Sequence, residues 1–577
     1  MCITTLDLSH VSQVFNSLES LRSISGHCFL LLYPTQMRLR SFLVGTGLLG
    51  ATTVTAARNG LPVDKVYGVN IGGWLVAESW MFPKEWAKMG GETCDNDCSS
   101  CAASEFDLVR KLGQEKADQV FTEHWTSWFT EKDVDAIAAA GLNTVRIPLG
   151  YWIIESLVDR STEYYPRGGM KHLKKALGWF KAKGIHVMLD HHALPGVATA
   201  KQMFAGRCTS DVQFYTQKNY KRALTWAGVM TAMIHLDPDF ASVFALQAIN
   251  EPTMNAEQTP GYGDYQKRFV KVVRAVEYAL GIKCPDTDYT KIFSSSSYTD
   301  SHDLGLLKVA TQADDPVVLE VLKEVAASVT GVCSDLGVKL SHNMRRSHDF
   351  ADVFSSSDIT EINHGHGAGR GYMGVNGPVQ SKQFEPAARS NISLSGGGNG
   401  ERLSTRSISA TLSKGVCRNC LMTAFPNRDW QYNNPANPAD AANGPQLYDA
   451  HLYFAFGGVA DPNAESYLKA ICNTDRVKQA RKANNGLLVF GEWSLATNFN
   501  QSGDFLSKWA DAQKFIYAGQ ADGWIFWNFK LEEGSTNTQY WSYYRGLEAG
   551  HFTKDPSKLT NPDICKPWIT NSNSTMG

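Results

Sequence analysis

The sequence predicts an α/β fold: a closed (β/α)8 TIM barrel with a long irregular insertion between strands 4 and 5. Three observations predict it. Short apolar runs alternate with amphipathic helical stretches, the pattern of a parallel sheet with crossover helices. Eight such runs can be counted along the chain, the number that closes a barrel. Two of them run into a glutamate, and the C-terminal ends of barrel strands are where barrel enzymes do their chemistry.

The first strand is 66–74, VYGVNIGGW, ending in glycines. A helix over 132–140 is closed by Gly141, and 143–150, NTVRIPLG, is the second strand. An amphipathic helix over 170–183 is closed by Gly184, and the third strand, 185–190, runs into HHALPG. Residues 211–235 read as helix. The fourth strand is 243–251, VFALQAINE. It stops at Pro252, which has no N–H for a ladder and forces the preceding residue extended. Glu251 is therefore held at a strand end beside Asn250. Helices follow over 265–280, closed by Gly281, and over 316–336.

The pattern then breaks. Residues 341–414 carry no sustained period and include NHGHGAGRGYMG and SLSGGGNGERLSTRSIS, a low-complexity insertion or a translated intron. His364 and His366 within it read as part of a solvated loop, with a metal site as the alternative. Order resumes with strands at 420–425 and 447–454 and a helix through 480. The seventh strand is 487–494, LLVFGEWS; a helix covers 504–517, and 523–529, GWIFWNF, is the eighth strand. The tail from Gln539 is expected to pack on the barrel.

Upstream of the barrel, Met37 opens MRLRSFLVGTGLLGATTVTAARNG. Arg38 and Arg40 form a basic start, 42–51 an apolar stretch, and Thr55-Ala56-Ala57 a small-residue cleavage signal. That is a secretory signal peptide over 37–57, so translation is expected to begin at Met37, with 1–36 an extension of the gene model. A signal anchor is the alternative, but the apolar run is well short of the roughly 20 residues a span requires. Residues 58–577 then form a single catalytic domain. Of 12 cysteines, Cys2 and Cys28 precede the cleavage position. The others are Cys94, Cys98, Cys101, Cys208, Cys284, Cys333, Cys417, Cys420, Cys472 and Cys565. In a secreted chain they read as disulfides of open pairing, with a zinc site from Cys94, Cys98, Cys101, Cys417 and Cys420 as the alternative. Sequons at Asn391, Asn500 and Asn573 fit a secreted glycoprotein. A net charge of −2 gives no reason to expect nucleic acid or an anionic membrane as partner. The 15 Trp and 21 Tyr suit stacking on sugars and an ordinary aromatic core equally well.

The chemistry rests on Glu251 and Glu492. Retaining glycoside hydrolysis needs two carboxyl groups about 5–5.5 Å apart. One stays protonated for the leaving oxygen, and the other is ionised to attack the sugar.

Seven segments carry a resemblance: GVNIGGWLVAESW (68–80), VRIPLGYW (145–152), LDHHALPG (189–196), INEP (249–252), AHLYF (450–454), FGEWS (490–494) and GWIFWNFK (523–530). In this order the chain resembles the fungal β-glucanases of glycoside hydrolase family 5, the exo-β-1,3-glucanases and endo-β-1,6-glucanases. It departs from them in the long insertion and in the doubled His191-His192. The resemblance implies a secreted, monomeric retaining hydrolase of β-glucan in the fungal cell wall, without cofactor, metal or stable membrane insertion. It implies Glu251 as acid/base and Glu492 as nucleophile. Arg146 would hold Glu492 ionised, since a nearby cation favours the charged form. Charged Glu492 would in turn keep Glu251 protonated. Asn250 would bond the sugar 2-OH. His192, His451 and Tyr453 would line the pocket, and Trp527 would stack on the sugar. Glu78 would bond sugar hydroxyls or cap a helix. Two other classes compete: a catalytically silent glucan-binding barrel, and a metal-dependent hydrolase using His191, His192 and His451.

Overall fold

The computed structural model describes residues 60–94, 97–294, 309, 312–338, 419–432, 435–535 and 537–569. The leader, the insertion with His364 and His366, Cys417, Asn391 and Asn573 lie outside the described residues. Eight parallel strands form a closed barrel in chain order. They are β1 (Val66–Asn70), β2 (Thr144–Gly150), β3 (His186–Ala193), β4 (Val243–Gln247), β5 (Met422–Pro426), β6 (Gln446–His451), β7 (Leu488–Glu492) and β8 (Gly523–Phe526). Pairing of Val66 with Gly523 and of Val69 with Phe526 closes the ring.

Period-two alternation sorts the side chains. Val145, Ile147 and Leu149 of β2 belong to the large cluster that packs strands against helices. Inward positions make a separate small cluster: Val66, Met188, Ala245, Met422, Leu447, Val489 and Ile525. That apolar plug fills the barrel interior, so the polar side chains one or two positions further along each strand sit above a dry base.

Several strands end sooner than their apolar runs. β1 stops at Asn70 rather than 74, β4 at Gln247 rather than 251, β6 at His451 rather than 454, and β8 at Phe526 rather than 529. For β4 the last ladder partner is Ala424. Beyond it the Gln247 side chain donates to the Ile249 carbonyl and turns the chain. Glu251 therefore stands four residues past its strand, on a bend. The helix expected from 211 starts at Gln217, because the Thr216 hydroxyl accepts from the Asn219 N–H and caps it there. The helix expected through 480 is two, Ala464–Cys472 and Arg476–Lys482. The tail packs as expected, with Tyr543 against Phe526 at 5.8 Å between ring centres.

The cysteines pair as Cys94–Cys101, Cys98–Cys208, Cys284–Cys420 and Cys472–Cys565, with Cys333 buried and free. The four zinc-candidate cysteines within the described residues are thus all in disulfides. Cys284–Cys420 ties the start of β5 to the end of helix Tyr262–Ala279 across the excursion that holds the insertion. Beside it, buried Glu277 accepts the Leu421 N–H at 2.7 Å, and Arg274 donates to the Leu421 carbonyl at 2.8 Å. These contacts hold β5 in register. No helix among the described residues is long and apolar enough to cross a membrane.

Candidate active site

The plug ends and a polar layer begins at Arg146, which is fully buried. A guanidinium presents five donors in a fixed fork, and here the barrel surrounds it with acceptors. Nη1 donates to Glu492 Oε1 at 2.9 Å and to Asn70 Oδ1 at 3.0 Å. Nη2 donates to Asn250 Oδ1 at 2.7 Å and lies 3.0 Å from Asp190 Oδ2. Nε donates to Gln247 Oε1 at 2.9 Å and lies 3.6 Å from Asp449 Oδ2. Six strands or strand ends are thereby tied to one cation.

Above this layer the two glutamates meet. An oxygen of Glu251, an oxygen of Glu492 and a nitrogen of His451 lie within 4.8 Å of one another. His451 Nδ1 sits 2.7 Å from Glu251 Oε1 and 3.6 Å from Glu492 Oε2. Its Nε2 is 3.1 Å from Asp449 Oδ2. The Tyr453 hydroxyl donates to Glu492 Oε2 at 2.8 Å. Glu492 thus has a cation, a phenol and an imidazole around it, whereas Glu251 has His451 and a more open side, at 15% side-chain exposure against 6%.

Burial pushes the Glu492 carboxyl above the usual range; His451 and Arg146 pull against it, and Glu251 adds to the rise. The expected hold of Arg146 on the ionised form is present, but desolvation outweighs it. For His451, burial alone would favour the neutral ring, yet Glu492, Asp449 and Glu251 hold its pKa well above the ordinary value.

The remaining expected residues gather here too. His192 Nδ1 meets Asp190 Oδ2 at 2.5 Å, and its ring stacks on Trp527 at 5.7 Å. The Asn250 amide nitrogen is 3.5 Å from His192 Nε2. Glu78 precedes a short 3-10 helix, Ser79–Met81, but its side chain caps nothing. Instead it accepts from Trp80 Nε1 at 2.9 Å. Burial, with added repulsion from Glu492 and Glu251, raises its pKa to about 8 despite the Trp80 bond. His191 is the one histidine that points elsewhere. It is fully buried and stacked on Trp226 at 4.0 Å on the helix side of β3, so the metal-dependent reading loses one of its three ligands.

Sequence reasoning missed Asn70, Asp190, Gln247 and Asp449. A usable signal existed. Asp190 lies two residues before His192, and Asp449 two before His451, so each shares the inward face of its strand with a site residue. Also missed was Trp430, whose indole N–H donates to the Pro252 carbonyl at 2.6 Å and whose ring packs on His451 at 5.6 Å.

A family model described as cellulase, glycosyl hydrolase family 5, matches residues 111–320. Over that stretch the chain is similar to glycosyl hydrolase family 5. The protein is an O-glycosyl hydrolase. It is 27% identical over 534 residues to glucan endo-1,6-beta-glucosidase B of Emericella nidulans, covering 90% of this chain and 93% of that one. It is 38% identical over 223 residues to probable glucan endo-1,6-beta-glucosidase B of Aspergillus flavus, covering 38% and 55%. Probable glucan 1,3-beta-glucosidase A of Aspergillus fumigatus is 31% identical over 232 residues, covering 38% and 50%.

Proposed function

We propose that this enzyme is a retaining, endo-acting β-1,6-glucan hydrolase of the fungal cell wall, secreted after cleavage of 37–57 and acting as a monomer through one catalytic domain. The observation that carries the mechanism is the close approach of Glu251 and Glu492, with oxygens within 4.8 Å. That separation suits direct attack by one carboxylate and leaves no room for the water layer of an inverting site. The linkage rests on the endo-1,6-glucosidase relatives, one matched over 90% of this chain at 27% identity and one over 38% at 38%.

The unequal surroundings support these roles. Glu492, fixed by Arg146 and Tyr453, attacks the anomeric carbon. The glycosidic bond breaks as Glu251 passes its proton to the leaving oxygen. Water then attacks the glycosyl ester, Glu251 takes that water's proton, and the sugar leaves with its original configuration. Asn250, its carbonyl oxygen committed to Arg146, turns its N–H2 to the sugar 2-OH. Glu78, protonated near neutral pH, donates to a sugar hydroxyl. His192 holds Trp527 as a platform for the sugar ring.

Digestion of linear β-1,6-glucan is expected to give a ladder of oligosaccharides. Glucose alone, released from the ends of linear β-1,3-glucan, would overturn the linkage and the endo action. Binding without new reducing ends, unchanged in Glu492→Gln, would favour a silent glucan-binding barrel. N-terminal sequencing of the secreted protein tests the leader, and a mature start well upstream of Ala57 would refute it.

Glu251→Gln is expected to slow hydrolysis of glucan by about 10²–10⁴-fold. An activated aryl glucoside, whose leaving group needs little protonation, should lose far less in the first step. Equal losses on both substrates would remove Glu251 as the acid.

A further inference from the structure

We propose that Asp449 is a positioning residue that places both catalytic carboxylates at once, one through the backbone and one through His451. This rests on the roles given above to Glu251 and Glu492. Asp449 is 2% exposed and touches neither reacting glutamate directly. Its Oδ1 accepts at 2.8 Å from the N–H of Gly491, the residue before Glu492. Its Oδ2 accepts from Gln247 Nε2 at 3.0 Å and faces His451 Nε2 at 3.1 Å. The other nitrogen of that ring holds Glu251 at 2.7 Å.

The strands are built to permit this. The β6–β7 ladder shifts register between Asp449 and His451. At that shift the side chain of Asp449, rather than a backbone carbonyl, takes the Gly491 N–H. A Cβ on residue 491 would lie 2.1 Å from Asp449 Oδ1, so only glycine lets the carboxylate approach. β7 therefore carries the nucleophile at a height set by Asp449.

The second arm is electrostatic. Each ring nitrogen of His451 faces a carboxyl oxygen, and both donate when the ring is an imidazolium, the proton that Glu251 delivers being carried on its other oxygen. Asp449 stays ionised: burial opposes this, but His451, Arg146 and the Gln247 bond hold its pKa below the usual value. The titratable and charged groups facing the pair are Arg146 from β2, Glu251 from the turn after β4 and Glu492 from β7. The Tyr453 phenol is bonded to Glu492. Replacing Asp449 by asparagine turns an N–H2 toward His451 Nε2 and favours the neutral ring. The cation lost then lies 3.6 Å from Glu492, while the anion lost lies on the far side of the ring. The balance raises the pH at which Glu492 ionises.

The test is kinetics of the full-length Asp449→Asn enzyme on β-1,6-glucan across pH. A ten- to hundred-fold fall in kcat is expected, about the loss seen when a group orienting a functional side chain is removed. KM should change little, and the acid limb should move to higher pH. If that variant does not fold, Gly491→Ala keeps every charge and only displaces the Asp449 carboxylate; it should lower kcat with KM retained. A folded Asp449→Asn with normal kcat and an unmoved acid limb would overturn the inference alone, as would a fully active Gly491→Ala. Full activity in Glu251→Gln and Glu492→Gln would instead remove the catalytic roles, and this inference with them.

Discussion

Glu492→Gln is expected to lose on the order of 10⁶-fold in kcat, the scale seen when a nucleophile is removed from residues that act as a unit. The amide keeps an oxygen for the Arg146 and Tyr453 hydrogen bonds, so the fold and glucan binding should survive. It cannot form the glycosyl ester. Removing the side chain entirely, as Glu492→Gly, opens a cavity on the face opposite the leaving group. Azide should then restore turnover and give a glucosyl azide of inverted configuration. A product of retained configuration would place the nucleophile elsewhere. The wild-type pH profile carries a matching signature. Because the Glu492 pKa is raised, mainly by burial, kcat/KM should climb with pH through a value above the usual 4.3 or so of a free glutamate. The same shift has a sign for stability. A carboxyl harder to ionise in the folded chain opposes folding as pH rises through its folded pKa. Glu492→Gln should therefore be no less stable than wild type at neutral pH, and any gain should vanish below the ordinary carboxylate range. Thermal melts at both pH values measure this, and a clear loss of Tm at neutral pH would contradict it.

Arg146→Met should be the most damaging single change to stability, by about 3–5 kcal/mol. The methionine fills much of the volume but leaves Asp190, Asp449 and Glu492 buried without their shared cation. It also leaves acceptor oxygens of Asn70, Gln247 and Asn250 without donors. In wild type, Asp449 has a lowered pKa, so its contribution is present above the unfolded value of about 3.9 and fades as pH falls through the folded one. In the variant the orphaned carboxylates are pushed up instead, so its deficit should grow with pH and shrink in acid. Urea unfolding at acid and neutral pH reads both slopes. A deficit independent of pH would mean that the guanidinium acts by packing rather than by charge. Arg146→Lys, which keeps the charge and loses the fork, should fall between the two and still lack most activity, because one ammonium cannot hold both Glu492 and Asn250.

Much of the barrel was legible in the chain. Eight apolar runs, spaced by helices ending at Gly141, Gly184 and Gly281, point to one topology, because parallel strands need crossovers of that length. The two site segments, INEP and FGEWS, stood out because each sets a carboxylate against the end of an apolar run. Other features were not legible, each for a definite reason. Where β4 stops was decided by β5, whose last pairing with it is at Ala424, and by Gln247 folding its amide back onto Ile249; the apolar run over 243–251 does not mark that point. Cysteine partners depend on which loops the barrel brings together, so Cys98 with Cys208 could not be read from spacing. His191 and His192 look equivalent in one dimension, yet alternate faces of β3 send one to Trp226 and the other to the site.

The sequence by itself determined the order of strands and helices, the family they resemble, and which two glutamates end up on the same rim. Periodicity and turn residues are local properties, and they survive in a linear text. Only the tertiary structure decided that one arginine would be shared by three acids and that a single aspartate would brace both glutamates. Those are contacts between residues on different strands, and their energies depend on distance and on exclusion of water. Neither quantity exists until the ring of strands has closed.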